Sequence, residues 1–335
     1  MNKDFLHKYL VMDRQARVIT VFSTNTVNKY CKNIKTTPVG IAAMGRLISS
    51  TLMMGSMLKG KESVMVTING NGPIGTIKAE ADSNGNVRAY ATNPMVDVAN
   101  KENGMLDVAA AVGSEGYLNV RRQMNLKEPF IGTCELISGE IGEDLSYYFG
   151  TSEQTPTIVA LGVLANKDGT CKQAGGFIIQ LLPNASEEVY QFLEKMLREI
   201  KSVSKLIENA KTSDQLVYQL FDEAELIFEY PVDYKCNCSY EKTKLLLTQL
   251  TSDELDEEIS KGKGLDVTCN FCQHVYHYDV EALKEIKEIK NNSNLVVWVL
   301  THIMQSFYAK SKRNYWTNIS NLSYCTWQHS PNLRV

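Results

Sequence analysis

The sequence predicts an α+β protein: an antiparallel-strand-rich N-terminal domain, a helical linker and a small C-terminal domain that carries paired cysteines. Three observations predict it. Between Ser63 and Leu182, short segments alternate apolar and polar residues and are separated by turn signals, the pattern of half-buried antiparallel strands. At Ser186 the apolar spacing switches to steps of three and four, which is the period of a helix. Beyond Pro231 stand two tight thiol pairs, Cys236-Asn-Cys238 and Cys269-Asn-Phe-Cys272. The expected boundaries are 1–183 for the N-terminal domain, 184–230 for the linker and 231–290 for the cysteine domain, with 291–335 an atypical, poorly ordered tail.

In chain order, a first strand is expected around Val18 to Ser23. Thr37-Pro38 then opens a helix to about Leu58, with Thr as N-cap and Pro at the first helical position, where its missing N–H costs nothing. Small residues at Gly40, Ala42, Ala43, Gly45, Ser49 and Ser50 predict close packing of this helix against a sheet. Gly55-Ser-Met-Leu-Lys-Gly60-Lys61 is close to a phosphate-binding loop, but Glu62 stands where a hydroxyl is needed, and the segment leaves a helix for a strand. ATP binding is not expected there. Gly70-Asn-Gly72-Pro-Ile-Gly75 has the spacing of a dinucleotide fingerprint, yet Thr76 to Asp82 alternates with period two, so the glycines are expected to turn one strand into the next. Asn84-Gly85 signals a second hairpin, and further strands are expected at Val87–Thr92, Tyr117–Met124, Phe130–Ser138, Thr157–Asn166 and Gly176–Leu182.

The linker helix carries Val189, Phe192, Leu193, Met196, Leu197, Ile200, Val203 and Ile207 on one stripe. Such a stripe is covered in a folded protein, and the nearest sheet belongs to the N-terminal domain. Phe192, Leu193, Met196, Leu197, Ile200 and Val203 are therefore the expected docking residues, a mechanical link between the cysteine domain and the sheet. A second helix is expected from Thr212-Ser-Asp-Gln215, and Thr251-Ser-Asp-Glu254 opens another that Gly262 and Gly264 close.

Cys236, Cys238, Cys269 and Cys272 are the candidate metal ligands. Soft thiolates at tetrahedral geometry suit Zn²⁺, and two close pairs can converge on one ion. His274 and His277 follow at spacings that reach a metal, but they fall on a strand-like alternation and are expected to be exposed bystanders. Cys31, Cys134 and Cys171 stand alone and are expected in the core.

Composition excludes several functions. A content of 44% hydrophobic and 22% charged residues is that of a globular protein with a sizeable core. A net charge of −3 argues against gripping nucleic acid, and between Cys236 and Cys272 four lysines face seven carboxylates. The N-terminal residues lack an apolar core of the kind a secretory signal needs, so a cytoplasmic location is expected; in that compartment paired cysteines point to metal or redox chemistry. The tail holds four basic and no acidic residues, which leaves the rest of the chain at −7 against a total of −3, and it holds all three tryptophans. Leu295–Leu300 is apolar but too short to span a membrane.

Several stretches together resemble the redox-regulated 33 kDa chaperonin family: Gly45-Arg46-Leu47, Gly72-Pro-Ile-Gly75, Asp82 to Pro94, Ser138-Gly-Glu-Ile-Gly-Glu-Asp144, Tyr148-Phe149, Ser152-Glu-Gln154, Ala174-Gly-Gly176 with Gln180, and Cys-x-Cys followed about 30 residues later by Cys-x-x-Cys. The likeness covers about residues 1–290. Ala89 departs from the Gly of the family's Arg-Gly-Tyr run, and the tail has no counterpart. The resemblance implies an ATP-independent holdase rather than an enzyme, inactive while reduced and zinc-bound. It implies that oxidation pairs Cys236 with Cys238 and Cys269 with Cys272, that zinc leaves, that the redox-switch domain and linker unfold, and that a homodimer then captures unfolding client proteins through the N-terminal domain. Physical chemistry supports the scheme, because a module of about 60 residues has a core worth only about 3–5 kcal/mol, whereas structural zinc contributes roughly 10–16 kcal/mol. The rival readings are a thiol-disulfide oxidoreductase using Cys269 and Cys272, and a structural zinc-ribbon binding protein.

Overall fold

The computed structural model describes residues 3–124, 128–183, 185–210 and 212–291. The tail expected to be poorly ordered lies outside the described residues, except for Asn291. The chain divides into two compact units, Met1–Cys238 with Thr268–Val275, and Ser239–Val267 with the residues from Tyr276 onward.

The first unit opens with strands β1 (Asp4–Val11) and β2 (Ala16–Phe22), then helices α1 (Thr24–Asn33) and α2 (Pro38–Gly55). Strands β3 (Ser63–Gly70), β4 (Thr76–Asp82) and β5 (Asn86–Ala91) follow, then short helix α3 (Val108–Val112), strands β6 (Gly116–Gln123) and β7 (Phe130–Glu135), helix α4 (Gly142–Thr151) and the hairpin β8 (Thr157–Ala165) and β9 (Cys171–Leu181). Helices α5 (Glu187–Glu199), α6 (Val203–Asn209) and α7 (Ser213–Tyr218) lead to strand β10 (Ala224–Tyr234). These ten strands lie in one sheet, ordered β7-β6-β3-β4-β5-β10-β1-β2-β9-β8. Only the β10–β5 pairing is parallel, and it is limited to Asp233 with Asn86 and Tyr234 with Val87.

Residue type explains each layer. Thr37 accepts a hydrogen bond from the Gly40 amide at 3.2 Å and caps α2, and α2 is buried along nearly its whole length, as its small residues predict. A side chain at Gly45 would meet Val163 at 2.9 Å, so the helix can lie this close to the sheet only without one. Ile41, Leu47 and Leu52 of α2 form one core with Val64, Val66, Ile77, Val120 and Val163. A second core includes Tyr9, Val11, Val18, Phe177 and Ile179 with Val189, Leu193, Ile207, Leu216 and Val217 of α5, α6 and α7. Strand β2 serves both, with Ile19 and Val21 in the first core and Ala16 and Val18 in the second, as period-two alternation requires.

Three departures from the sequence reading have physical causes. Strand β1 precedes the expected first strand; its polar residues Asp4 and His7 are buried, because Asp4 accepts from Thr26 and Asn25 and His7 meets Ser213 at 2.8 Å, so no apolar alternation marks it. The apolar stripe from Val189 to Ile207 is not one helix: Ile200 is extended and Ser202 caps a new start by accepting from the Lys205 amide. The 184–230 segment, expected to be helical, ends in β10, whose residues from Ala224 pair antiparallel with β1.

The second unit contains helices α8 (Tyr240–Leu247) and α9 (Ser252–Lys261), helical residues 280–291, and most of the hairpin of β11 (Leu265–Thr268) and β12 (Val275–Tyr278). Thr251 and Glu254 form the expected capping box and Gly262 ends α9 in the left-handed region. Its core is small: Leu247, Leu255, Tyr278, Leu283 and Ile286 are buried.

Asp144 gives a direct test of the N-terminal architecture. It is fully buried, and its carboxylate accepts from the amides of Ile137, Ser138, Gly139 and Ile141 at 2.9 to 3.3 Å. Asp144→Ala leaves buried donors without an acceptor and is expected to lower unfolding free energy by about 3 kcal/mol or more. Urea unfolding midpoints check this, with Asp144→Asn expected to fall between the two.

Candidate metal centre

Two different backbone devices deliver the four sulfurs. Strand β10 runs past β5 until Asp233 N–H donates to Gly85 and Lys235 N–H to Val87, both at 2.9 Å, and Cys236 follows directly. Gly85 has φ +83°, and a side chain there would meet the Pro231 carbonyl at 2.6 Å, so the hairpin signal Asn84-Gly85 is also what lets β10 pass. The second pair occupies the turn between β11 and β12. Cys269 N–H donates to His274 at 2.9 Å, Gln273 N–H donates back to Cys269 at 2.8 Å, and Gln273 takes a positive φ of 58° to close the turn.

The result is one cluster. The sulfurs of Cys236, Cys238, Cys269 and Cys272 all lie within 4.8 Å of one another, with Cys236 to Cys269 at 3.7 Å and Cys238 to Cys272 at 3.4 Å. A tetrahedral zinc with Zn–S bonds of about 2.3 Å sets its sulfurs about 3.8 Å apart, so the spacing fits a four-thiolate ion. The thiols are free rather than bonded to each other. Among the described residues this is the one group of metal-ligating side chains so closely placed. His274 and His277 are exposed and outside it, and His277 meets Asp266 at 2.7 Å.

Burial pushes the thiols of Cys236 and Cys272 above the ordinary range, and the neighbouring sulfurs push them further, although the amides of Cys238 and His274 act the other way. Four such groups cannot all ionise side by side without a cation among them; a divalent ion reverses that balance and holds them as thiolates. Burial works against the charge of Arg88, but Glu80 and Cys236 more than offset it, and its net shift is upward.

The structure places the linker residues unevenly. Leu193 is buried, while Met196, Ile200 and Val203 are half-buried against the second core. Leu197 is half-buried beside an apolar groove of about 310 Å³ that Ile158, Ile179 and Leu181 also line. Phe192 is 42% exposed and its ring lies 6.2 Å from that of Phe221. Sequence reasoning missed Phe271, which lies between two of the thiols in the chain, and Arg88, Tyr90 and Tyr234, which contact it. The aromatic residue inside the Cys-x-x-Cys pair was the available signal.

Known proteins resemble this chain in sequence and in fold. The family model described as Hsp33 protein matches residues 4–279. The 33 kDa chaperonin of Oceanobacillus iheyensis is 41% identical over 288 residues, 85% of this chain and 100% of that protein. The 33 kDa chaperonin of Staphylococcus aureus strain Newman is 41% identical over 290 residues, 86% of this chain and 99% of that one. A crystal structure of the 33 kDa chaperonin from Thermotoga maritima matches with a TM-score of 0.79 at 33% identity, over 87% of this chain and all of that one.

Replacing any one of Cys236, Cys238, Cys269 or Cys272 with Ser is expected to lower bound zinc well below one ion per chain. His274→Ala and His277→Ala are expected to leave it unchanged. Metal analysis of protein purified under reducing conditions decides; full occupancy in the Cys269→Ser protein would sink the four-thiolate assignment.

Proposed function

The chain belongs to the Hsp33 family of chaperones, and from that premise we propose that it is a redox-regulated, ATP-independent holdase, held inactive by zinc on four thiolates and activated by oxidation. The observation that carries this reading is the convergence of four sulfurs from two chain segments within 4.8 Å. Zinc bound there would keep the four sulfurs ionised and tie Cys236 and Cys238 to a turn about 30 residues further along.

The thiols themselves perform the chemistry. A sulfur of each pair attacks the peroxide oxygen, giving a sulfenic acid and hydroxide; its partner sulfur then displaces water, so that one peroxide is reduced by two electrons for each disulfide formed. The proposed pairing is that of the family, Cys236 with Cys238 and Cys269 with Cys272. Loss of the tie then frees a unit whose five buried core side chains supply little stability alone. The oxidised chain acts as a homodimer on unfolding proteins in the cytoplasm and catalyses no reaction of its own. No helix among the described residues is long and apolar enough to cross a membrane. The oxidoreductase alternative lacks support, since Cys269 and Cys272 sit in a turn between two strands and not at the helix start that lowers a catalytic thiol.

Peroxide-treated protein is expected to suppress the aggregation of a thermally unfolded client at stoichiometric ratio and without ATP, while releasing its zinc; reduced protein is expected to do neither. Light scattering followed together with zinc release tests this, and peptide mapping of the disulfides reads the pairing. Suppression of equal strength by both forms would defeat the redox reading. The linker contribution has its own test. Leu193→Ala with Met196→Ala removes one buried side chain, typically worth about 2–5 kcal/mol, and one half-buried one, and is expected to give activity in the reduced, zinc-loaded protein. A double mutant that stays inactive and protease-resistant between 185 and 218 would show that this helix does not gate the binding surface.

A further inference from the structure

Phe271 lies between the ligands Cys269 and Cys272 but contacts the sheet. The Arg88 guanidinium sits 4.4 Å from the centre of its ring, and the Tyr90 ring meets it edge-on at 6.5 Å and 64°. Arg88 and Tyr90 are two residues apart on β5 and so share one face. Arg88 is itself fixed, its Nε donating to Glu80 on β4 at 2.8 Å. From β10, the buried hydroxyl of Tyr234 donates to the Phe271 carbonyl and accepts from the Ala89 amide at 3.5 Å. One residue of the thiol turn is thus held through its ring by β5 and through its backbone by β10, the strand that also leads to the first thiol pair.

We propose that Phe271 is the positioning residue that fastens the Cys269–Cys272 turn to the sheet, with Arg88 as the platform for its ring and Tyr234 as the clamp on its carbonyl, and that this contact sets how fast the thiol centre opens. A metal held by the four thiolates would be released only as sulfurs detach, and a docked turn would keep Cys269 and Cys272 close to the places they leave. The guanidinium also opposes the negative charge that four thiolates concentrate, and it does so on the side of Cys236. The inference rests on the metal reading for its consequence, but the docking contact itself does not depend on a metal.

The test compares full-length wild type with Phe271→Ala, Phe271→Leu, Phe271→Tyr and Tyr234→Phe under reducing conditions. Zinc stoichiometry is expected to match the wild type in all of them, since no ligand is changed. The rate of zinc transfer to a chromogenic chelator is expected to rise about five- to thirtyfold in Phe271→Ala, the factor that goes with losing a partly desolvated cation–π contact and its aromatic neighbour. Phe271→Tyr keeps a ring over Arg88 and is expected to stay near the wild-type rate, whereas Phe271→Leu keeps bulk without a ring and is expected to release zinc faster than Phe271→Tyr. Tyr234→Phe, which removes one hydroxyl and leaves the core filled, is expected to show a smaller rise. Unchanged release in both Phe271→Ala and Tyr234→Phe overturns the proposal, and so does full restoration by Phe271→Leu. Amide exchange over residues 268–275 separates this inference from the function it builds on: Phe271→Ala is expected to exchange faster there whether or not the wild type holds zinc or responds to oxidant, and unchanged exchange overturns the anchor regardless of either.

Discussion

Four sulfur atoms held within 4.8 Å of one another form the constraint on which the rest of the structure depends. Left as thiols they are buried and mutually repelling on ionisation, which is why Cys236 and Cys272 are pushed upward. A divalent cation turns the same arrangement into a cross-link. The chain brings these sulfurs together accurately, and the helical segment before β10 is built of elements that are weak by themselves.

Accuracy comes from β10. It pairs with β1 along most of its length and touches β5 over two residues only, so it joins the two halves of the sheet and releases Cys236 at the point where it leaves the sheet. The Gly85 backbone lies against it closely enough to exclude any side chain. The same strand contributes Tyr234, which belongs to the first core and also reaches the thiol turn.

Weakness comes from short elements. Helices α6 and α7 have seven and six residues, too few to persist in isolation, and they survive by packing on β2, β8 and β9 with α5. Ser213 at the start of α7 adds a polar clasp, meeting His7 at 2.8 Å, donating to the Phe5 carbonyl at 2.9 Å and accepting from Thr20 through its own carbonyl at 2.8 Å. These contacts lie on β1 and β2, whose Tyr9, Val11 and Val18 share the second core with Leu216 and Val217 of α7.

Local chemistry made much of this legible from sequence alone. Thr37-Pro38, Thr251 with Glu254, and the glycines at 70, 72 and 75 act where their backbone chemistry predicts, and the spacing of the thiol pairs identified all four members of the sulfur cluster. These features depend on neighbours within a few residues, or on a ligand count that any fold bringing the pairs together would satisfy. Only tertiary structure decided the rest. Strand β1 was hidden because its buried Asp4 and His7 are satisfied by partners 21 to 206 residues away, and β10 because its Leu226, Ile227 and Phe228 are all about half-exposed, so burial does not alternate along it. The stripe from Phe192 to Val203 was visible as a stripe, but how deeply each residue is buried depends on what the sheet places against it and on the break between α5 and α6 at Ile200–Ser202. The surroundings of Phe271 were beyond reach for the same reason: Arg88 and Tyr234 are separated from it by 183 and 37 residues of chain, and no local pattern records a contact that exists only once β5 and β10 lie side by side.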